Sequence, residues 1–202
     1  MEELKLAIVN KSKILKYKKM KKIIFILATL FITFSCKAQV IAVEDFENYN
    51  QELTEGTHVK DVNNLLDKYV GTWRGIYNNK NYEFRIVKYT RISSNRNLKF
   101  DKLLMRYKIT DSSNNVIENT LILPNTSNFI IRGSYLSNKG SYVLNYVGFN
   151  DCGQNGTIFI SIYDINNTKM KLYLEVDGEM GLDCITGAEQ ILPTDWIDLT
   201  KQ

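Results

Sequence analysis

The residue types that could carry out chemistry are few in this 202-residue chain, and they are far apart. There is one histidine, His58, and there are three cysteines, Cys36, Cys152 and Cys184. Nucleophilic catalysis needs a base beside the nucleophile, and His58 stands alone in a polar stretch, so we interpret it as a surface residue. Zinc sites need Cys and His at short spacings, which this sequence lacks. We therefore predict a protein that is not an enzyme and that has no metal and no cofactor.

Two further stretches hold candidate ligands. The segment EVDGEMGLD brings together Glu175, Asp177, Glu179 and Asp183. A calcium loop places several oxygen ligands at fixed steps, and this segment matches that pattern only loosely, so we interpret it as a solvated acidic turn. The segment DCGQNG contains glycines but lacks the strand–loop–helix setting of a phosphate-binding loop, and we interpret it as a turn.

The N-terminal part has the organisation of an export signal. Five lysines precede an uncharged run of thirteen residues, from Ile23 to Ser35, which is shorter than the roughly 20 apolar residues of a membrane-spanning helix. A positive region, a short apolar run and a small residue together indicate a secretory signal. Cleavage near Ala38–Gln39, or a short uncleaved anchor, is the alternative to cleavage before Cys36.

Ser35 followed by Cys36 resembles the lipobox of bacterial lipoproteins, in which the chain is cut before a cysteine whose thiol carries a diacylglyceryl group. This resemblance implies that Cys36 is the lipid attachment point and the new N-terminus. It also implies an exported protein anchored to the outer membrane, facing the periplasm or the exterior.

These assignments divide the chain into three parts. Residues 1–35 form the signal, in which residues 1–19 are an extension ahead of the natural-looking start Met20-Lys21-Lys22. Residues 36–56 are acidic and aperiodic, so we predict a flexible tether, with a short strand at QVIAV as the alternative. Residues 57–202 form one folded domain.

Removal of the signal changes the charge of the chain. Eight of its 26 basic residues and two of its 22 acidic residues lie within residues 1–35, which leaves 18 basic and 20 acidic residues. Because no excess of positive charge remains to neutralise phosphates, we predict no nucleic-acid binding.

The domain begins with a predicted helix and continues with strands. Val62, Leu65, Leu66, Tyr69 and Val70 have the spacing of an amphipathic helix, which Asp61 would cap and Gly71 would end. About nine short strands follow, joined by turns rich in Asn, Asp, Ser and Gly. Within KLLMRYKIT, we expect Leu103, Met105, Tyr107 and Ile109 to share one face.

Strands joined in series by local turns are expected to pair as antiparallel neighbours. We therefore predict an all-β fold, a single up-and-down β-barrel of about eight to ten strands with one short N-terminal helix, and a β-sandwich as the alternative. Gly71-Thr72-Trp73 after the helix resembles the start of lipocalin-like barrels. That resemblance implies that Trp73 lies at the barrel floor, against Leu65 and Tyr69.

A closer resemblance covers both ends of the chain. SCKAQ, GTHVKDVNNLLDKYVGTWRG and LPTDWIDLTKQ resemble a family of small bacterial lipoproteins known only as a domain of unknown function. The resemblance implies a lipid-anchored β-domain and no activity.

The sequence leaves two classes of function open. We predict a binding module whose barrel holds a small apolar ligand, and the alternative is a filled barrel that contacts an envelope protein or serves a structural role. Large residues at every inward position would indicate the second class.

The two remaining cysteines are predicted to form a disulfide. If Tyr163 faces Lys169 in the hairpin before Cys184, paired positions sum to 332, which places Cys152 near residue 180. Because the envelope outside the inner membrane is oxidising, we expect Cys152 and Cys184 to be bridged, with two separate buried thiols as the alternative.

Overall fold

The computed structural model describes residues 21–22, 39–148, 155–177 and 190–202. The folded unit comprises Gln39–Gln202. In the described part of the chain, no helix has the length and apolar character needed to cross a membrane. The strands are β1 Val40–Ala42, β2 His58–Lys60, β3 Gly71–Tyr77, β4 Lys80–Ser93, β5 Leu98–Thr110, β6 Val116–Asn119, β7 Ile131–Leu136, β8 Tyr142–Tyr146, β9 Gly156–Ile162, β10 Lys169–Val176 and β11 Ile197–Lys201.

Eight of these strands close into an antiparallel barrel in the order β5-β4-β3-β11-β10-β9-β8-β7. The ring closes where β7 pairs with β5, through Leu104 with Arg132 and Met105 with Ile131. Strands β1, β2 and β6 are additional. The structure thus confirms the predicted up-and-down barrel and not the sandwich.

The turns between the strands define two ends of the barrel. The β4–β5, β7–β8 and β9–β10 turns share one end with the chain that leads into β3, and we call it the closed end. The β3–β4 and β5–β6 turns lie at the opposite end, which we call the mouth. Asn78 and Asn79 in the β3–β4 turn both have positive φ, the conformation that two-residue hairpin loops require and that asparagine adopts readily.

Strand β5 forms a seam because three elements share one of its edges. The parallel ribbon of β1 and β2 joins it at Lys99 and Phe100, near the closed end. Strand β7 pairs with its middle, and β6 pairs with it from Lys108 to Thr110, near the mouth. The segment between β6 and β7 leaves the wall and is held from outside by the guanidinium of Arg106, whose Nε donates to the carbonyl of Leu123 at 3.0 Å.

The predicted helix before Gly71 is wrong. The segment forms turns and one 3-10 turn, Asp67–Tyr69, and between Gln39 and Gln202 the described residues contain no α-helix. The Asp61 carboxylate accepts hydrogen bonds from the backbone N–H groups of Leu65 and Leu66, at 2.7 and 3.2 Å. Such side-chain bonds offer the backbone an alternative to a helix, and Asn64, at φ 54°, interrupts any helical path.

The segment predicted as a tether is folded from Gln39 onward. Strand β1 forms at the QVIAV stretch, the alternative that the β-branched residues favoured, and it pairs in parallel with β2. Ile41 and Val43 are buried in the core, and the 3-10 turn Phe46–Asn48 lies against β7. The folded unit therefore begins at Gln39 rather than at residue 57. Residues 36–38 lie outside the described residues.

Candidate functional site

Large side chains fill the inward positions of the barrel. Inward and outward residues alternate along each strand, and the inward ones are buried in all eight strands. The largest that are completely buried include Trp73, Phe84, Tyr107, Tyr142 and Tyr146. The inward-facing buried residues are Trp73, Tyr82, Phe84, Ile86, Leu103, Met105, Tyr107, Ile109, Ile131, Tyr142, Leu144, Tyr146, Ile158, Ile160, Met170, Leu172, Leu174, Ile197 and Leu199.

Trp73 lies at the closed end and packs on the chain that precedes its own strand. Its indole Nε1 donates to the carbonyl of Tyr69 at 2.8 Å, and both side chains are fully buried. The hydroxyl of Tyr69 donates to the carbonyl of Gly140 in the β7–β8 turn at 2.9 Å, and burial raises its pKa far above the ordinary value. Leu65 is half-buried beside this floor, and Gly71 has φ 136°. The floor is thus built from turns and not from a helix.

His58 is not the isolated surface residue that the sequence suggested. Its Nε2 lies 2.9 Å from Oδ1 of Asp101 in β5, and the Asp101 carboxylate also accepts from the hydroxyl of Thr90 and the N–H of Asp61. Burial alone would raise the pKa of Asp101, but these hydrogen bonds outweigh it and lower that pKa. These contacts anchor β2 to the barrel, since they tie His58 of β2 to Asp101 of β5.

Another partly buried carboxyl group, that of Glu118, lies at the mouth. Glu118 in β6 pairs with the inward residue Ile109 of β5, and directly opposed residues project to the same face. The hydroxyl of Tyr107 donates to the Glu118 carboxylate. Burial raises the pKa of Glu118, although the hydrogen bond from Tyr107 acts against this. Burial, together with the neighbouring Tyr146 and Glu118, raises the pKa of Tyr107 strongly. Burial raises the pKa of Tyr146 to about 12.

The rings behind Glu118 form an aromatic cluster, which we call the mouth cluster and define as Tyr82, Phe84, Tyr107 and Tyr146. The rings of Tyr107 and Tyr146 meet edge to face with centroids 6.3 Å apart, and Phe84 lies 6.3 Å from Tyr107. Tyr82 stacks on Phe84 at 6.1 Å. Perturbed pKa values cluster at functional sites, and the raised pKa of Glu118 makes it a candidate site residue.

Aromatic side chains also form a row on the outer surface, on β9, on β10 and at the residue just before β11. We call Phe159, Tyr173 and Trp196 the outer row. Phe159 is the register partner of Tyr173, their rings stack at 5.1 Å, and Trp196 contacts Tyr173 with centroids 4.2 Å apart. Trp196 is 50% exposed. Neither the Tyr173 hydroxyl nor the Trp196 N–H has a hydrogen-bond partner among the described residues.

Described residues border two cavities and one surface groove, and none of the three lies inside the barrel core. One of about 10 Å³ lies beneath the segment that contains Val43 and Phe46, and one of about 120 Å³ lies at the mouth between Tyr77 and Leu192. A groove of about 520 Å³ on the outer face of β3–β5 is bordered by Arg74, Glu83 and Lys108. Arg74 and Glu83 already pair with each other there, at 2.7 Å, so we assign no ligand to it.

Several predicted site residues lie outside the described part of the chain. These are Cys36, the proposed lipid site, and the proposed disulfide partners Cys152 and Cys184, together with Glu179 and Asp183. Among the described residues, no group of three or more His, Cys, Asp or Glu side chains is arranged to hold a metal ion.

Sequence reasoning missed Glu118 and the outer row. A signal for Glu118 existed in the sequence, because it is the one acid within the strand VIENTLIL. Its inward direction, however, depends on the register between β6 and β5. The outer row depends likewise on the registers of β9, β10 and β11.

Comparison with known proteins gives one match. Neither a curated protein nor a solved structure matches the chain. Residues 20–191 match the model of a family described as a family of unknown function, DUF6705. Since this match covers most of the 202 residues, the chain belongs to the family DUF6705.

Proposed function

We propose that this protein is an exported lipoprotein, anchored through Cys36 to the outer membrane, whose filled barrel is a rigid module that contacts another envelope protein. The observation that carries the proposal is the packing of the interior. Pockets for small ligands usually measure about 300–1,000 Å³, whereas the inward positions hold large buried side chains. This favours the filled barrel over the other hypothesis, a barrel that encloses a small apolar ligand.

The anchor is supported by the order of lysines, apolar run, Ser35 and Cys36. The structure adds a constraint on distance. The folded unit begins at Gln39, three residues after Cys36, and three extended residues span at most about 11 Å. A lipid on Cys36 would therefore hold the barrel close to the membrane surface, where it would meet partners that share that surface.

The outer row supplies a surface for such a partner. Trp and Tyr are enriched at protein interfaces because they combine a large apolar ring with a polar tip. Here both polar tips lack partners among the described residues, and Trp196 is half exposed. We expect the partner to bury these rings and to accept hydrogen bonds from Tyr173 and Trp196.

Native mass spectrometry tests the filled interior. Protein purified from the membrane fraction should have the mass of the processed, lipidated chain alone. A stoichiometric small molecule that leaves only on denaturation would contradict the proposal and restore the ligand hypothesis.

Cell fractionation tests the anchor. Cys36→Ser should release the protein from membranes, because two or three acyl chains hold firmly, at about 0.8 kcal/mol for each buried methylene. A matched control is Ser35→Ala, which keeps both the thiol and a small residue before it. Equal membrane retention of the Cys36→Ser variant and the wild type would refute the anchor.

Site-specific photo-crosslinking in cells tests the surface. A photoreactive residue at Tyr173 should give one discrete protein adduct, and the same residue at Val87, an exposed position on another strand, should not. The Trp196→Ala change should weaken the Tyr173 adduct. The same set of adducts from both positions would argue against an interface at the outer row.

A further inference from the structure

The β4–β5 hairpin extends past the start of β3, at the closed end of the barrel. Strand β3 begins opposite Ile86 of β4, whereas the pairing of β4 with β5 continues as far as Ser93 and Leu98. Strand β2 pairs with β5 along this extension, and β1 pairs with β2. The closed end therefore carries a small four-stranded sheet in the order β1-β2-β5-β4.

One level of this sheet presents two exposed apolar side chains on the same face. We call Val40, His58, Lys99 and Ile92 the end row, because each is the register partner of the next on the neighbouring strand. Directly opposed residues project to the same face of a sheet, and four strands span about 14 Å. Val40 is 55% exposed and Ile92 is 62% exposed, so the two ends of the end row are open to the surroundings.

The chain enters the folded unit beside the end row. The carbonyl of Gln39 accepts from the backbone N–H of His58 at 2.8 Å, so the residue before Val40 lies against β2. Cys36 precedes Gln39 by three residues, which reach at most about 11 Å, and the headgroup layer of one leaflet is about 5–8 Å thick. A lipid on Cys36 would therefore hold Gln39, and the end row with it, within about 6 Å of the headgroups.

The charges on this face suit a lipid surface better than a protein surface. Lys99 belongs to the end row, Lys60 projects to the same face of β2, and within the described residues neither forms an ion pair. Lysine is depleted at protein interfaces, whereas beside a membrane its stem lies along apolar surface and its ammonium group reaches lipid phosphates.

The adjoining loop does not cancel these two positive charges. It brings two acids, Glu52 and Glu55, and Glu52 forms an ion pair with Arg96 at 2.9 Å. Glu55 is the one acid of that loop without an ion pair among the described residues, so the lysines remain in excess.

We propose that the end row is a docking face for the phospholipid surface of the membrane that holds the anchor. Val40 and Ile92 enter the boundary between headgroups and acyl chains, and Lys60 and Lys99 contact the lipid phosphates. This inference rests on the proposed anchor at Cys36 and names the surface that the anchored barrel turns toward its membrane. The closed end then faces the lipid, and the mouth faces away from it.

Photo-crosslinking to lipid tests the docking face, with protein purified from the membrane fraction and reconstituted in vesicles of phosphatidylethanolamine and phosphatidylglycerol. A photoreactive residue in place of Ile92 should give adducts whose added mass is that of one phospholipid. The matched control is the same residue in place of Ile76, which is 73% exposed near the mouth. We expect about fivefold less lipid adduct at position 76, because that end faces away from the bilayer. The double variant Lys60→Glu, Lys99→Glu should lower the yield at position 92 about threefold or more.

The mass of the purified protein separates failure of the anchor from failure of the docking face. Protein without acyl chains would refute the anchor, and the docking face with it. Acylated protein with equal lipid yields at positions 92 and 76, or with an unchanged yield in the double variant, would overturn the docking face and leave the anchor standing. A photoreactive residue in place of Val40, on a different strand, repeats the measurement, so the outcome does not depend on the folding of one variant.

Discussion

Trp73 is the residue on which the closed end depends most. It is fully buried, and its indole N–H already has a partner in the carbonyl of Tyr69. We expect Trp73→Ala to lower the free energy of unfolding by about 3–5 kcal/mol, the usual cost of removing a buried tryptophan. Urea denaturation would measure it. Trp196→Ala, at a half-exposed position, is the control and should cost far less; similar losses in the two variants would contradict the packing described.

Tyr142 provides a hydrogen-bond acceptor for β5 next to the last residue pair of β5 and β7. Its hydroxyl accepts from the backbone N–H of Leu103 at 3.1 Å, and it occupies the space where a side chain on Gly133 would lie, 2.4 Å from the position of a Cβ. Tyr142→Phe should cost about 1–3 kcal/mol, because it leaves the buried N–H of Leu103 without a partner. Thermal unfolding would show this loss, whereas Tyr135→Phe, whose hydroxyl has no partner among the described residues, should change the melting temperature little.

The strands were the most predictable elements, because alternating apolar and polar residues and asparagine-rich turns determine structure over a few neighbouring residues. The nine predicted strands correspond to β3 through β11, and Leu103, Met105, Tyr107 and Ile109 share the buried face as expected. The β9–β10 register also agrees, with Met170 opposite Ile162. The helix was mispredicted because its apolar spacing suited a helix, while Asp61 and Asn64 favoured turns. Spacing alone carries no information about that competition.

The segment before β3 is fastened to the barrel by carboxylates, which gives it a pH dependence. The pKa of Asp101 is lower in the folded protein than in the unfolded chain, as the bonds from His58, Thr90 and the backbone of Asp61 outweigh burial. The folded state therefore binds this proton less readily, so the stabilisation is present above about pH 4 and is lost as pH falls through the folded pKa.

Denaturation of the wild type and of Asp101→Asn from pH 7 to pH 3 tests this dependence. The variant should be less stable at pH 7, and the gap between the two should narrow below about pH 4. Glu52→Gln, at an exposed position in the same segment, is the matched control. A constant gap between wild type and Asp101→Asn across the range would contradict the assignment.

At the scale of the whole molecule, the sequence allowed a closed barrel to be predicted. It did not allow us to predict which strands pair at the closing edge of β5. Consecutive turns predict which strands are neighbours, whereas pairing of β5 with β7, across an interposed β6, joins residues distant in sequence. Glu118 lies at that seam, and its contact with Tyr107 follows only from the pairing of β6 with β5. The filled interior was likewise beyond sequence reasoning, because it depends on how the inward faces of eight strands meet.

The last prediction concerns a disulfide bridge between Cys152 and Cys184. The backbone N–H of Asp177 donates to the carbonyl of Asn155 at 3.1 Å, so the residue just before β9 lies beside the residue just after β10. Cys152 precedes Asn155 by three residues, and Cys184 follows Asp177 by seven. Both cysteines lie outside the described residues, but these lengths permit the two thiols to meet. In an oxidising compartment we expect them to be bridged, which should stabilise the protein by about 3–4 kcal/mol, less any strain.

Mass spectrometry of exported protein, denatured and alkylated before digestion, tests the bridge. Peptides that contain Cys152 and Cys184 should be linked and unalkylated, and each should gain one alkyl group after reduction. The single variants Cys152→Ala and Cys184→Ala are matched controls, because each leaves one thiol that should be alkylated without reductant. Free alkylation of both cysteines in the unreduced wild type would refute the bridge.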